Sequence, residues 1–287
     1  MAGLESIDVD LDPPPSNSID TMAASSPNTE YSSPDSPFQE HVEFMKDKRQ
    51  AARNKLAYLT QEEKVSLLTA ADFWRSKSIP QKGIAAVKTS DGPSGARGGI
   101  FVGGTKAALF PCGISLAATW NKDLLHQVGQ QLAEETKARS ANVLLAPTVC
   151  MHRHPLGGRN FESFSEDPLL TGKLAAQYIR GLQERGVSAT IKRQSLQART
   201  SGCGERGGTN ENTDFVGNEQ ETNRLTIDSK VADRPLREIY LKPFEIAVRE
   251  ANPWAIMSSY NLINGVHADM NTYTLKNILR GEWGYDG

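Results

Sequence analysis

Residues 142–146 read NVLLA and are closed by Pro147, and residues 187–191 read VSATI and end at Lys192. Both runs are short and apolar, as strands buried on two faces are. Between them Leu174, Tyr178 and Leu182 recur at helical spacing. A strand, a helix and a second strand make one βαβ unit. Its strands must run parallel, because the helix carries the chain back to the edge where it began. The fold class is therefore α/β.

The same alternation extends outward. Upstream, Thr60-Gln61-Glu62-Glu63 is a capping box, with Val65 and Leu68 following on one face. Residues 85–90 (AAVKTS) read as a strand that turns at Asp91-Gly92-Pro93, and residues 110–117 read as a second strand. Asn121 caps a helix whose apolar face is Leu124, Leu125, Val128 and Leu132. Downstream, Leu236, Ile239, Tyr240, Phe244 and Ala247 mark a helix, and residues 255–259 (AIMSS) read as a strand. Leu275, Ile278 and Leu279 form a last short helix stopped by Gly281.

Two architectures fit this order: a doubly wound sheet and a (β/α)8 barrel. A doubly wound nucleotide binder carries G-x-G-x-x-G after its first strand, whereas the turn here is Asp91-Gly92-Pro93-Ser94-Gly95. Residues 99–106 (GIFVGGTK) look like a phosphate loop, but Thr105 separates the second glycine from Lys106, so they read as a plain loop.

Composition narrows the function. Lys and Arg number 32 against 34 Asp and Glu, a net charge of −2 that argues against a nucleic-acid binder. Hydrophobic residues make up 38% of the chain, low for a fully packed protein. Residues 1–41 are rich in Pro, Ser, Asp and Asn, with a Pro13-Pro14-Pro15 run, and are expected to form a disordered tail before a domain at 42–287. No apolar stretch is long enough for a membrane helix. The start MAGLESIDVDLDPPPS lacks the basic and apolar regions of a secretory signal, and no Asn-x-Ser/Thr sequon occurs, so intracellular residence is expected for the sequence as written, with secretion the alternative under a faulty gene model. Cys112, Cys150 and Cys203 make neither a disulfide framework nor a zinc motif; two buried thiols and one in a loop are expected.

In a barrel the functional side chains stand at the carboxyl ends of the strands. Those ends offer Asp91, Arg159 in the loop after residues 142–146, Lys192, and Met257 with Tyr260. Charged hydrogen-bonding groups beside an aromatic ring suit a sugar, with its polar edges and apolar faces. The plainer reading is that Asp91 caps a turn and Arg159 pairs with Glu162 or Glu166.

Residues 155–168 (PLGGRNFESFSEDP) carry a resemblance. Together with Thr89-Ser90-Asp91-Gly92-Pro93, Leu116-Ala117-Ala118-Thr119-Trp120, Asn218-Glu219-Gln220-Glu221, Met257-Ser258-Ser259-Tyr260-Asn261 and Gly284-Tyr285-Asp286-Gly287, they resemble glycoside hydrolase family 3 in its fungal β-glucosidase branch. The resemblance implies an incomplete (β/α)8 TIM-type barrel, since about five strands are placed before Gly287, fewer than the eight of a closed barrel. It implies a β-glucosidase that removes terminal β-D-glucosyl residues from small glucosides or oligosaccharides, as in cellobiose breakdown, with no metal or organic cofactor. Asp91 would hold glucose hydroxyls at the pocket bottom, Arg159 and Lys192 from its sides, and Met257 and Tyr260 would line its wall. The implied retaining reaction needs two carboxyl groups about 5–5.5 Å apart. By resemblance the nucleophile is expected just beyond Gly287 and the acid/base in a later domain; Glu162, Glu166, Glu219 and Glu221 are expected to form ion pairs.

The sequence departs from the family at one place. A Lys-His-Phe motif is implied at Lys192, but residues 193–214 stand between Lys192 and Phe215. This polar, Gly- and Ser-rich insert reads as a loop or a disordered insert, and its position inside a motif points to a retained intron or a gene-model error, which the spliced message would test. His152 and His154 read as loop histidines that do not fill the vacancy. Two other functions compete: a sugar-binding remnant without catalysis, and a barrel acting on a phosphorylated metabolite, for which a phosphate loop is lacking.

Overall fold

The computed structural model describes residues 37–98, 104, 106–153, 155, 157–192 and 225–287. Most of the expected tail, the 193–214 insert, His154, Cys203, Glu219 and Glu221 lie outside the described residues. The chain divides into two units, Met1–Leu59 and Thr60–Gly287. In the first, α1 (Pro37–Ala57) opens with proline, whose fixed φ suits the first helical turn, so the tail expected over 1–41 ends inside a helix.

In the second unit α2 (Gln61–Leu67) carries the expected capping box. Glu63 N donates to Thr60 Oγ1 at 3.2 Å and Thr60 N to Glu63 Oε2 at 2.9 Å. Four strands, β1 (Thr89–Asp91), β2 (Val143–Leu145), β3 (Ser188–Ile191) and the later Ala255–Ile256, form one parallel sheet in that order. Between β1 and β2 stand α3 (Gly113–Ala117) and α4 (Lys122–Ala138), the latter capped by Asn121 as expected. α5 (Pro168–Glu184) joins β2 to β3. After β3 come β4 (Asp228–Ser229), α6 (Asp233–Pro235) and α7 (Lys242–Ala251), leading into β5 (Ala255–Ile256).

Register decides the two faces of the sheet. Ser90 pairs with Leu144, and Leu144 with Ala189, so these share one face with Ile191. Leu144, Ala189 and Ile191 are fully buried and pack in one core with Leu125 and Leu132 of α4, Leu174, Tyr178 and Leu182 of α5, and Phe244 and Ala247 of α7. Asp91, Leu145 and Thr190 alternate onto the opposite face. α4 and α5 cross so closely that a Cβ on Gly129 would stand 2.3 Å from Tyr178 O, and one on Gly181 2.1 Å from His126 O.

Several expectations are corrected. Residues 110–117 are not a strand: Pro111 and Cys112 lead into helix α3, whose Gly113 lies against the Glu162 carbonyl. A short buried apolar run carries no period that separates strand from helix. β1 takes only the end of residues 85–90, and β5 only the start of 255–259. The last helix is a π-helical segment, Tyr273–Glu282; it runs through Gly281, and Gly284 (φ 72°) turns the chain after it. Cys112 and Cys150 are half-buried rather than buried.

A second, small sheet was not anticipated. β4 runs parallel to β6 (Leu262–Ile263), which pairs antiparallel with β7 (Val266–His267). Asn264 (φ 50°) and Gly265 (φ 86°) join them. Two consecutive left-handed residues of this type match the strand twist, which is why Asn-Gly signals a hairpin. Among the described residues no helix is long and apolar enough to cross a membrane.

Candidate active site

The site grows from the ends of β1, β2 and β3. β1 stops at Asp91 because Gly92 follows with φ 147°, and a Cβ there would stand 1.8 Å from Gly95 O. Only glycine fits, and the turn folds the chain back on itself. Arg97 N donates to Asp91 O at 3.0 Å, Gly98 N to Ser90 Oγ at 3.0 Å, and Arg97 Nη2 to Asp91 Oδ2 at 3.2 Å. From α5, Tyr178 reaches the same turn, donating its hydroxyl to Pro93 O at 3.3 Å. Burial pushes the Tyr178 hydroxyl far above the ordinary tyrosine range.

Lys192 follows β3 and is held by the chain after β2: its N donates to Pro147 O at 2.9 Å and its O accepts from Val149 N at 3.1 Å. Its side chain is almost wholly buried and donates from Nζ to Asp91 Oδ1 at 2.7 Å. Each oxygen of Asp91 thus meets a different cation. Buried charges persist only when paired and hydrogen-bonded in this way.

Thr148 bridges in parallel to Lys192 on one side and to Ser163 on the other, which draws residues 159–163 to the same end of the sheet. There Arg159 donates to Glu162 Oε1 from Nε at 3.1 Å and from Nη2 at 3.0 Å, and to Oε2 from Nη2 at 3.3 Å. The plainer reading of Arg159 as a partner of Glu162 therefore holds. His152 sits beside this segment, its Nε2 3.2 Å from Ser163 O.

A cleft of about 460 Å³ opens above these groups, lined by Asp91, Arg97 and Glu162 and by the apolar Pro93, Leu109 and Phe161. The structure thus joins Asp91 to Lys192 directly and brings Glu162, which holds Arg159, to the same cleft. Of the sequence-predicted site residues Asp91 alone lines it; Lys192 and Arg159 reach it through their partners Asp91 and Glu162, and Met257 and Tyr260 are not among its lining residues. Met257 continues β5, donating from N to Ile191 O at 3.1 Å, and is half-buried; Tyr260 is exposed. Arg97 was missed by sequence reading, although Gly92 and Gly95 in one short turn already signalled that the chain returns to Asp91.

A polar cleft at the carboxyl ends of parallel strands, lined by charged and apolar groups, stands where α/β folds place their small-molecule sites. The chain belongs to glycosyl hydrolase family 3: residues 59–287 match its N terminal domain. It is 55% identical over 232 residues to Beta-glucosidase B of Emericella nidulans, covering 81% of this chain and 25% of that protein. It is 48% identical over 230 residues to a beta-glucosidase of Rhizobium radiobacter, covering 80% of this chain and 26% of that protein. Among solved structures it resembles the beta-glucosidase of Kluyveromyces marxianus in complex with glucose, with TM-score 0.73 and 44% identity over 82% of this chain and 26% of that one. Beta-glucosidase 3B of Thermotoga neapolitana in complex with glucose is similar at TM-score 0.70 and 38% identity, over 82% of this chain and 33% of that one. The chain spans about a quarter of the length of the curated relatives it matches.

Proposed function

We propose that this chain is the glucose-binding part of a β-glucosidase that releases terminal non-reducing β-D-glucosyl residues with retention of configuration. The observation that carries the reading is the Asp91 carboxylate, clamped by Lys192 and Arg97 at 2.7 and 3.2 Å on the floor of the cleft. A carboxylate oxygen that accepts one bond from a cation keeps lone pairs for sugar hydroxyls, and the ammonium of Lys192 has further donors. Such charge-assisted bonds are the strong ones. The Arg159–Glu162 pair adds a second polar group at the same end of the sheet, and Pro93, Leu109 and Phe161 offer apolar surface for a ring face. Relatives solved in complex with glucose support the choice of sugar.

In this reading β1, β2, β3 and β5 are four staves of a (β/α)8-type barrel, and Met257 and Tyr260 border the sugar from the end of β5. Asp91 is assigned to binding, and Glu162 to the ion pair with Arg159. A retaining reaction needs a nucleophile and an acid/base about 5–5.5 Å apart, and neither role is assigned to Asp91 or Glu162.

Calorimetric titration of the chain with glucose, beside an assay with 4-nitrophenyl β-D-glucoside, tests this. Saturable glucose binding without turnover is expected. Absence of binding would sink the sugar reading, and turnover by this chain would overturn the assignment of Asp91 and Glu162 as non-catalytic groups.

A further inference from the structure

We propose that Glu162 is a positioning residue, whose carboxylate holds the Arg159 guanidinium in the orientation from which it donates to a sugar hydroxyl; this rests on the sugar-binding reading above. Arg159 is the N-cap of the single 3-10 turn Asn160–Glu162, and Glu162 is its last residue. One tight turn separates them, so the carboxylate is within reach of the guanidinium's N–H groups. Three N–H···O contacts of 3.0–3.3 Å join them, two of them to Oε1. The side chains are only 12% and 11% exposed, so water and salt screen the pair far less than a surface pair.

Glu162 is itself fixed. Its N donates to Arg159 O at 3.1 Å, and its carbonyl lies where a Cβ on Gly113 would approach to 2.3 Å. Ser163, next along, bridges to Thr148, which bridges to Lys192. Glu162 therefore stands on the same backbone frame as the Lys192–Asp91 pair and lines the same cleft. Arginine loses a large rotamer entropy when it is ordered. With Glu162 in place that loss is incurred on folding, and the sugar meets a donor already aimed.

The test uses the 287-residue chain with Glu162→Gln, Arg159→Lys and the pair combined, read by glucose titration and by 15N relaxation of the Arg159 Nε–H without sugar. Glu162→Gln is expected to weaken glucose binding about tenfold, the scale of one hydrogen bond to a charged group, and to lower the order of the Arg159 Nε–H. In the Arg159→Lys background it is expected to add nothing, because Glu162 acts through Arg159. An unchanged Nε–H order, or an equal loss in both backgrounds, overturns the proposal. If the unaltered chain binds no glucose the sugar reading fails, while the Nε–H order still decides whether Glu162 holds Arg159. Should Glu162→Gln unfold the chain, Glu162→Asp keeps the charge, shortens its reach and carries both readouts.

Discussion

Lys192 Nζ donates to Asp91 Oδ1 at 2.7 Å across 101 residues of chain, tying the end of β3 to the end of β1. The two partners are unequally supported. Asp91 keeps Arg97 if Lys192 is lost, whereas the ammonium of Lys192, nearly inaccessible to water, has no other carboxylate within salt-bridge distance among the described residues. Removing one member of a buried pair leaves the other charge uncompensated, at a cost of about 3–5 kcal/mol.

Asp91→Ala should therefore destabilise the chain more than Lys192→Met, which removes the charge and keeps most of the stem. Urea midpoints of the two variants measure the order. Equal or inverted midpoints would show that Arg97 does not compensate Asp91.

Gly92 holds the turn that brings Arg97 back to Asp91. Gly92→Ala meets both a left-handed φ of 147° and a carbonyl 1.8 Å away. Strain of this kind costs of order 1–3 kcal/mol, and the turn must open to relieve it. Glucose binding should be lost together with stability; titration and thermal melting are the measurements, and retention of full affinity contradicts the assigned geometry.

At the crossing of α4 and α5, a methyl at Gly129 or Gly181 meets backbone rather than a yielding side chain. Alanine improves helix propensity by roughly 1 kcal/mol, but overpacking costs about 1–3 kcal/mol. Gly181→Ala should lower the melting temperature despite its better propensity. A rise would mean that the helices separate freely.

Tyr178 gives the fold a pH dependence of definite sign. Burial raises its folded-state pKa above the unfolded value, which is about 10. Below that pH both states keep the proton and the contribution is complete. Above it the unfolded chain releases a proton that the folded chain retains, so stability falls as pH rises. Tyr178→Phe should cost about 1 kcal/mol at neutral pH through the lost bond to Pro93 and should flatten the decline above about pH 10. Urea titrations at several alkaline pH values measure both, and an unchanged slope excludes Tyr178 as its source.

How much of this was legible beforehand follows residue by residue. The helix starts at Thr60 and Asn121 were readable because a cap is a bond between near neighbours. The Leu174, Tyr178 and Leu182 face was readable because one helix period carries it. Residues 110–117 were misread because burial removes the polar alternation on which the distinction rests. The hairpin at Asn264-Gly265 was signalled by its dipeptide and overlooked.

Sequence alone determined the βαβ order, the caps and the candidate charges Asp91, Arg159 and Lys192, since all of these depend on residue type and local spacing. Only the tertiary structure decided that Lys192 and Arg97 share Asp91 and that Glu162 takes Arg159. Pairings between distant segments depend on strand register and turn geometry, and a shift of a single residue in either would send the same side chain to the opposite face.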